Sequence, residues 1–157
     1  TSPTLDTAQA STSGTSIDFN SLPAGIKRIE ITLTGISTNG TSIPMVQIGD
    51  SGGIENTGYL GAAGSLGSGA NFTTGFGLLG ATPAAATVFH GTATLVLQDS
   101  STNTWAASTA SGVSTSATAS CGGGGKSLSA TLDRVRITTV GGTDTFDAGK
   151  INIMYWS

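Results

Sequence analysis

Residues 28–34 read Arg-Ile-Glu-Ile-Thr-Leu-Thr, and this stretch decides how the rest of the chain is read. Apolar Ile29, Ile31 and Leu33 alternate with polar Arg28, Glu30, Thr32 and Thr34. A period of two sends successive side chains to opposite faces of an extended strand, so one face is buried and the other meets water. Lys27, Arg28 and Glu30 then read as a solvated face or as cross-strand pairs. The same alternation places Phe89, Ala93, Leu95 and Leu97 on an inner face, with His90, Thr92, Thr94 and, less comfortably, Val96 pointing outward.

Toward the C-terminus Leu128, Ala130 and Leu132 alternate with Ser and Thr, and Val135 and Ile137 then continue in the opposite parity. A one-residue slip would carry the apolar set to the solvent face, so a turn or bulge is expected near Asp133. Ile151, Ile153 and Tyr155 mark a last strand. Weaker strand signals cover 16–19, 43–48, 57–60, 71–78 and 104–108, separated by Gly, Asn, Asp or Pro. No segment has helical periodicity. Many short strands at fairly regular spacing predict an all-β, antiparallel β-sandwich, jelly-roll-like in its connections. Residues 110–126, a run of small residues ending in four glycines and a lysine, read as a long exposed loop, with Cys121 a small residue inside it.

A length of 157 residues fits one domain with one core. It is placed at 14–157, with the polar segment 1–13 read as a linker, an expression remnant or the frayed end of a longer chain. Twenty-four glycines could suggest disorder, but hydrophobic residues make up 37% and gather in alternating runs. Only 10% of residues are charged and the net charge is -3, too little positive charge to hold nucleic acid or an anionic membrane surface. No stretch nears the ~20 apolar residues of a spanning helix, so no membrane insertion is expected. No export signal is visible, and a chain acting outside a cell would be released by lysis or have a processed start. One cysteine and one histidine exclude an internal disulfide and dense Cys/His metal sites; no cofactor is expected.

Three segments carry a family resemblance: IDFNSLPAGIKRIEITLTGISTNG at 17–40, QIGDSGGIENTGYLGAA at 47–63 and LDRVRITTVGGTDTFDAGKINIMYW at 132–156. In this order they resemble a C-terminal domain common in bacteriophage tail fibres, with the closing segment the most specific. The resemblance implies a homotrimeric virion component that acts outside the cell, at a bacterial surface, and it brings no catalytic residues with it.

The chemistry-bearing residues read mostly as turn chemistry. In the closing segment Gly141-Gly142 suits a tight turn, Asp144 and Asp147 suit local side-chain-to-backbone bonds, and Gly149 suits a reversal into the last strand. His90 lies within a strand pattern, not in a catalytic loop. Asp50 sits in GDSGG, a string of turn residues, and Gly125-Lys126-Ser127 fails as a phosphate loop because Ser120 stands where the motif needs its first glycine. Sugar binding needs a flat aromatic face and directional polar groups. Trp105 and Tyr59 are the candidate platforms, and Asp99 and Asn103, in the polar run before Trp105, the candidate polar partners. Packing in a core or subunit contact competes with ligand contact at Trp105, and Trp156 suits packing on a neighbouring subunit. The expected function is attachment of a phage particle to a surface polysaccharide or protein receptor, without catalysis. The alternatives are a trimerising cap or capsid-decorating domain and, further off, a fragment of a polysaccharide depolymerase.

Overall fold

Alternating sequences fold as strands because a pleated backbone can bury every second side chain while pairing all its polar groups with neighbours. In the computed structural model, which describes residues 2–157, this gives fourteen strands and no helix among the described residues. In chain order they are β1 (Thr4–Leu5), β2 (Gln9–Ala10), β3 (Ile17–Phe19), β4 (Arg28–Thr38), β5 (Pro44–Asp50), β6 (Gly53–Ile54) and β7 (Leu60–Ser65). These are followed by β8 (Ser68–Phe72), β9 (Phe76–Gly77), β10 (Phe89–Asp99), β11 (Thr104–Val113), β12 (Thr118–Ser127), β13 (Arg134–Thr139) and β14 (Phe146–Trp156).

Two antiparallel sheets form a β-sandwich. The larger runs β1-β14-β4-β10-β11-β12-β7-β8, with β2 also on β14; the smaller runs β3-β13-β5-β6, with β9 also on β5. Ile29, Ile31, Leu33, Leu95, Ile151 and Ile153 of the larger sheet meet Ile17, Phe19, Val46, Ile48, Val135 and Ile137 of the smaller in one core. Each such side chain contributes roughly 1.5–3 kcal/mol by leaving water. The chain alternates between sheets at β4 to β5 and from β12 through β13 to β14, as in a jelly roll, while β10, β11 and β12 form a meander within one sheet. The outward residues behave as the alternation requires: Arg28 pairs with Glu30 at 2.6 Å, and Glu30 accepts from Thr94 Oγ1 at 2.8 Å.

Five readings change. Residues 110–126 are not a long loop: they belong to the β11–β12 hairpin, registered from Thr104↔Ser127 to Val113↔Thr118. The alternation there is masked because the inner face carries hydroxyls. Thr109 Oγ1 donates to Gly77 O at 2.9 Å and Ser111 Oγ to Leu78 O at 2.7 Å, so both are buried with partners. The glycines make room: a Cβ on Gly124 would lie 2.8 Å from Leu60 O and 3.0 Å from Phe76 Cδ1. Second, part of the segment read as a linker is paired, since β1 and β2 both lie along β14 and Ser11, fully buried, donates through Oγ to Ala148 O at 2.9 Å. This covers an edge that would otherwise expose unpaired backbone groups. Third, the parity change at Asp133 is a connection between sheets; Leu128 and Leu132 reach the core from irregular chain, and Ala130 is exposed. The signals at 57–60 and 71–78 are displaced, with strands at Leu60–Ser65, Ser68–Phe72 and Phe76–Gly77 instead.

The fifth change concerns the closing segment. Asp144 bonds across the fold, its Oδ2 accepting from Ser42 N at 2.8 Å. Gly149 lies inside β14, not at a reversal, where the register against β4 shifts between Ala148 and Lys150. Its φ is +102°, and a Cβ there would sit 2.6 Å from Gly35 O and 2.7 Å from Thr34 O. Gly149→Ala should therefore cost about 2 kcal/mol, from the strained backbone and the backbone contact together, read as a lower urea midpoint at unchanged slope.

Candidate functional site

The four residues predicted to bind a ligand are not brought together as a site. Trp105 is on the inner face of β11 and only 2% exposed. Tyr59 is 1% exposed; its hydroxyl accepts from Ile48 N at 2.9 Å and lies 2.8 Å from Glu55 O, and its ring meets Phe76 edge-on at 5.0 Å. Neither ring offers a face to solvent: the alternation of β11 turns Trp105 inward, and Tyr59 enters the core from the irregular chain just before β7. Asp99 and Asn103 shape the β10–β11 turn. Asp99 Oδ1 accepts from Ser101 Oγ at 2.7 Å and Ser101 N at 2.8 Å, and these bonds hold its carboxyl below the usual range. Asn103 has a φ of +51° and its carbonyl accepts from Leu128 N at 3.0 Å. These are turn roles.

His90 points away from the core, as its strand position requires. Its Nδ1 accepts from Gly35 N at 2.9 Å and its Nε2 lies 3.0 Å from Ser114 Oγ, which braces the strand end in the neutral tautomer protonated at Nε2. Cys121 is exposed on the outer face of β12. Trp156 lies under the guanidinium of Arg28, 5.3 Å from its ring centroid.

The outer face of the smaller sheet is different, because it is polar, concave and partly roofed by loops. Cross-strand register places Asp18, Arg136 and Gln47 in one row over β3, β13 and β5, with Thr138 and Met45 in the next row over β13 and β5. The groove above them, about 330 Å³, is walled by Thr15 and Ser16, by Ile54 and Asn56, by Thr74, and by Val140 and Gly142. Arg136 is clamped by Asp18 through Nε to Oδ1 at 2.7 Å and Nη2 to Oδ2 at 2.8 Å, and these bonds raise its basicity further. Gln47 is only 6% exposed and donates Nε2 to Thr74 O at 2.8 Å. That bond fixes which end of the amide is nitrogen. Its Oε1 accepts nothing from the described residues and is not sealed from solvent. Sequence reasoning missed these residues. A lone Gln between apolar Val46 and Ile48 marks an outward face, but no local signal says that β5 lies beside β13.

A second polar cluster lies where the segment after β6 meets β12. Lys126, 6% exposed, bonds to Glu55 Oε2 and lies 5.4 Å from the centroid of the Tyr59 ring. Glu55 Oε1 accepts from Ser129 N at 2.8 Å and Ser129 Oγ at 2.5 Å, and Ser129 Oγ is also 2.9 Å from Asp50 Oδ2. Burial alone would raise the Glu55 pKa, but the bonds from Lys126 and Ser129, with the charge of Lys126, outweigh it and hold the carboxyl at about 2. Burial pushes the Tyr59 phenol well above its usual value. Every polar group here is spent on a neighbour, so the cluster works as a latch between loops. Among the described residues no three metal-ligating side chains come together.

No family model matches the chain, and no curated protein matches it.

Proposed function

We propose that this chain is the C-terminal attachment domain of a bacteriophage tail fibre, and that it binds a bacterial surface polysaccharide or protein without covalent chemistry. The observation that carries the reading is the groove on the outer face of the smaller sheet, where Gln47 holds an open acceptor beside a fixed guanidinium. Concave sites with a few fixed polar groups suit reversible recognition of a polar ligand. The order of the three fibre-like segments along the chain supports the same reading. Assembly as a homotrimer on the virion would multiply weak contacts through effective concentration, so modest affinity per groove suffices for lasting attachment.

A second reading, a structural cap that trimerises without binding a receptor, is favoured by a different surface. The outer face of β11, β12 and β7 carries Ala106, Ser108, Ala110, Cys121, Gly123 and Ala62, with Leu60 79% exposed nearby and Leu66 98% exposed in the β7–β8 turn. A flat face of small uncharged residues suits close packing of subunits. The two readings part in one experiment: purified protein of determined mass in solution, incubated with intact cells of many bacterial strains. Strain-selective binding by a trimer, competed by extracted surface polysaccharide, is the expected result. A well-assembled trimer that binds no strain contradicts attachment and favours the cap.

A further inference from the structure

We infer that the groove recognises a secondary amide, in the form of an acetamido substituent on a sugar of the bound polysaccharide; this rests on the attachment reading and names its ligand. Arg136 and Gln47 are direct cross-strand partners, which sets their Cβ atoms about 5 Å apart. Their ends are then drawn in opposite directions. Arg136 is pulled by Asp18 toward β3, and Gln47 is pulled by the Thr74 carbonyl toward the β9 side of β5. Between them the sheet face is left with an acceptor on one side and donors on the other. Two of the five guanidinium N–H groups are engaged with Asp18, and the rest have no partner among the described residues.

A trans secondary amide has the matching pattern, since its N–H and C=O point in opposite directions. Its N–H meets Gln47 Oε1 and its C=O meets Arg136, while its methyl group rests on Ile54 or Val140. A hydroxyl placed to donate to Gln47 Oε1 gives up the carbonyl that the amide directs at Arg136, and it brings no methyl group to Ile54 or Val140. A charged carboxylate would find Arg136 already neutralised by Asp18 and would face the Gln47 oxygen, a repulsive contact. The remaining wall suits a sugar: Ser16 and Asn56 carry polar groups with no partner among the described residues. A peptide also offers secondary amides, but peptide capture by sheets usually adds a strand at a free edge, and this groove lies on a face.

The test is an amide chemical-shift titration of the full chain, as it assembles, with 2-acetamido hexoses, with the parent hexoses, and with an N-acetyl amino-acid amide. The acetamido sugars should shift residues of β5, β13 and 14–16. The parent hexoses should bind about 10- to 100-fold more weakly, because a hydroxyl in place of the amide lacks both the carbonyl directed at Arg136 and the methyl contact. Gln47→Met should lose that preference. The comparison between sugars needs only the unmodified protein, so it stands even where the variant fails to fold. Equal binding of both sugar types, no shift with any sugar, shifts confined to other surfaces, or a response to the amino-acid amide alone would each overturn the assignment. The attachment reading fails separately, when an assembled protein binds no cells. A protein that binds cells yet is indifferent to the acetamido group sinks only the ligand.

Discussion

Trp105→Ala should cost about 4 kcal/mol of stability and leave the proposed cell binding of the molecules that remain folded unchanged. The indole is fully enclosed between the sheets, so truncation leaves a cavity that the surrounding rigid strands can only partly fill. Its partner across the hairpin is Lys126, whose glycine-rich strand has no spare side-chain volume to repack into the gap. Urea unfolding gives the stability, and cell binding measured well below the midpoint gives the affinity. A variant that keeps its stability but loses binding would return Trp105 to the ligand-contact role for which it is one candidate.

Lys126→Met should cost about 3 kcal/mol, because it strands Glu55 in a partly buried site with Asp50 close by and only Ser129 left to solvate it. The same pair predicts acid sensitivity. The Glu55 carboxyl falls from an ordinary 4.5 to about 2 on folding. A depressed acid pKa contributes stability that is fully present above about pH 4.5 and is lost as pH falls toward 2. The contribution is at most about 3.5 kcal/mol, taking ~1.4 kcal/mol for each unit, and solvent screening of the partly exposed carboxylate lowers it. Glu55→Gln should therefore lower stability at pH 7 and flatten the decline between pH 4.5 and 2, measured by urea unfolding across that range. An unchanged slope would mean that the latch carries no stabilising charge.

The long strands were legible because their chemistry is local. Ile29-Glu30-Ile31 and Ile151-Asn152-Ile153 state which face is buried without reference to anything distant, and the sandwich follows from several such statements. Strand β12 was illegible for the opposite reason. Its inward glycines Gly122 and Gly124 are set by what must fit beneath and beside them, namely Thr109, Phe76 and the β7 strand, and that is a property of tertiary packing. The site was hidden in the same way. Trp105 and Tyr59 are aromatics near polar runs, yet the parity of β11 sends Trp105 inward and the chain before β7 carries Tyr59 into the core. Gln47, Arg136 and Asp18 lie far apart in sequence and become a row only through register.

The most direct test of attachment through the smaller sheet is hydrogen exchange of the assembled protein with and without surface polysaccharide purified from a strain that it binds. Slower exchange at 14–16, 45–47, 54–57 and 136–142, with no change in the 99–104 turn, is the predicted result. Protection centred on 99–104, or on the outer face of β11, β12 and β7, would contradict the groove as the proposed attachment site.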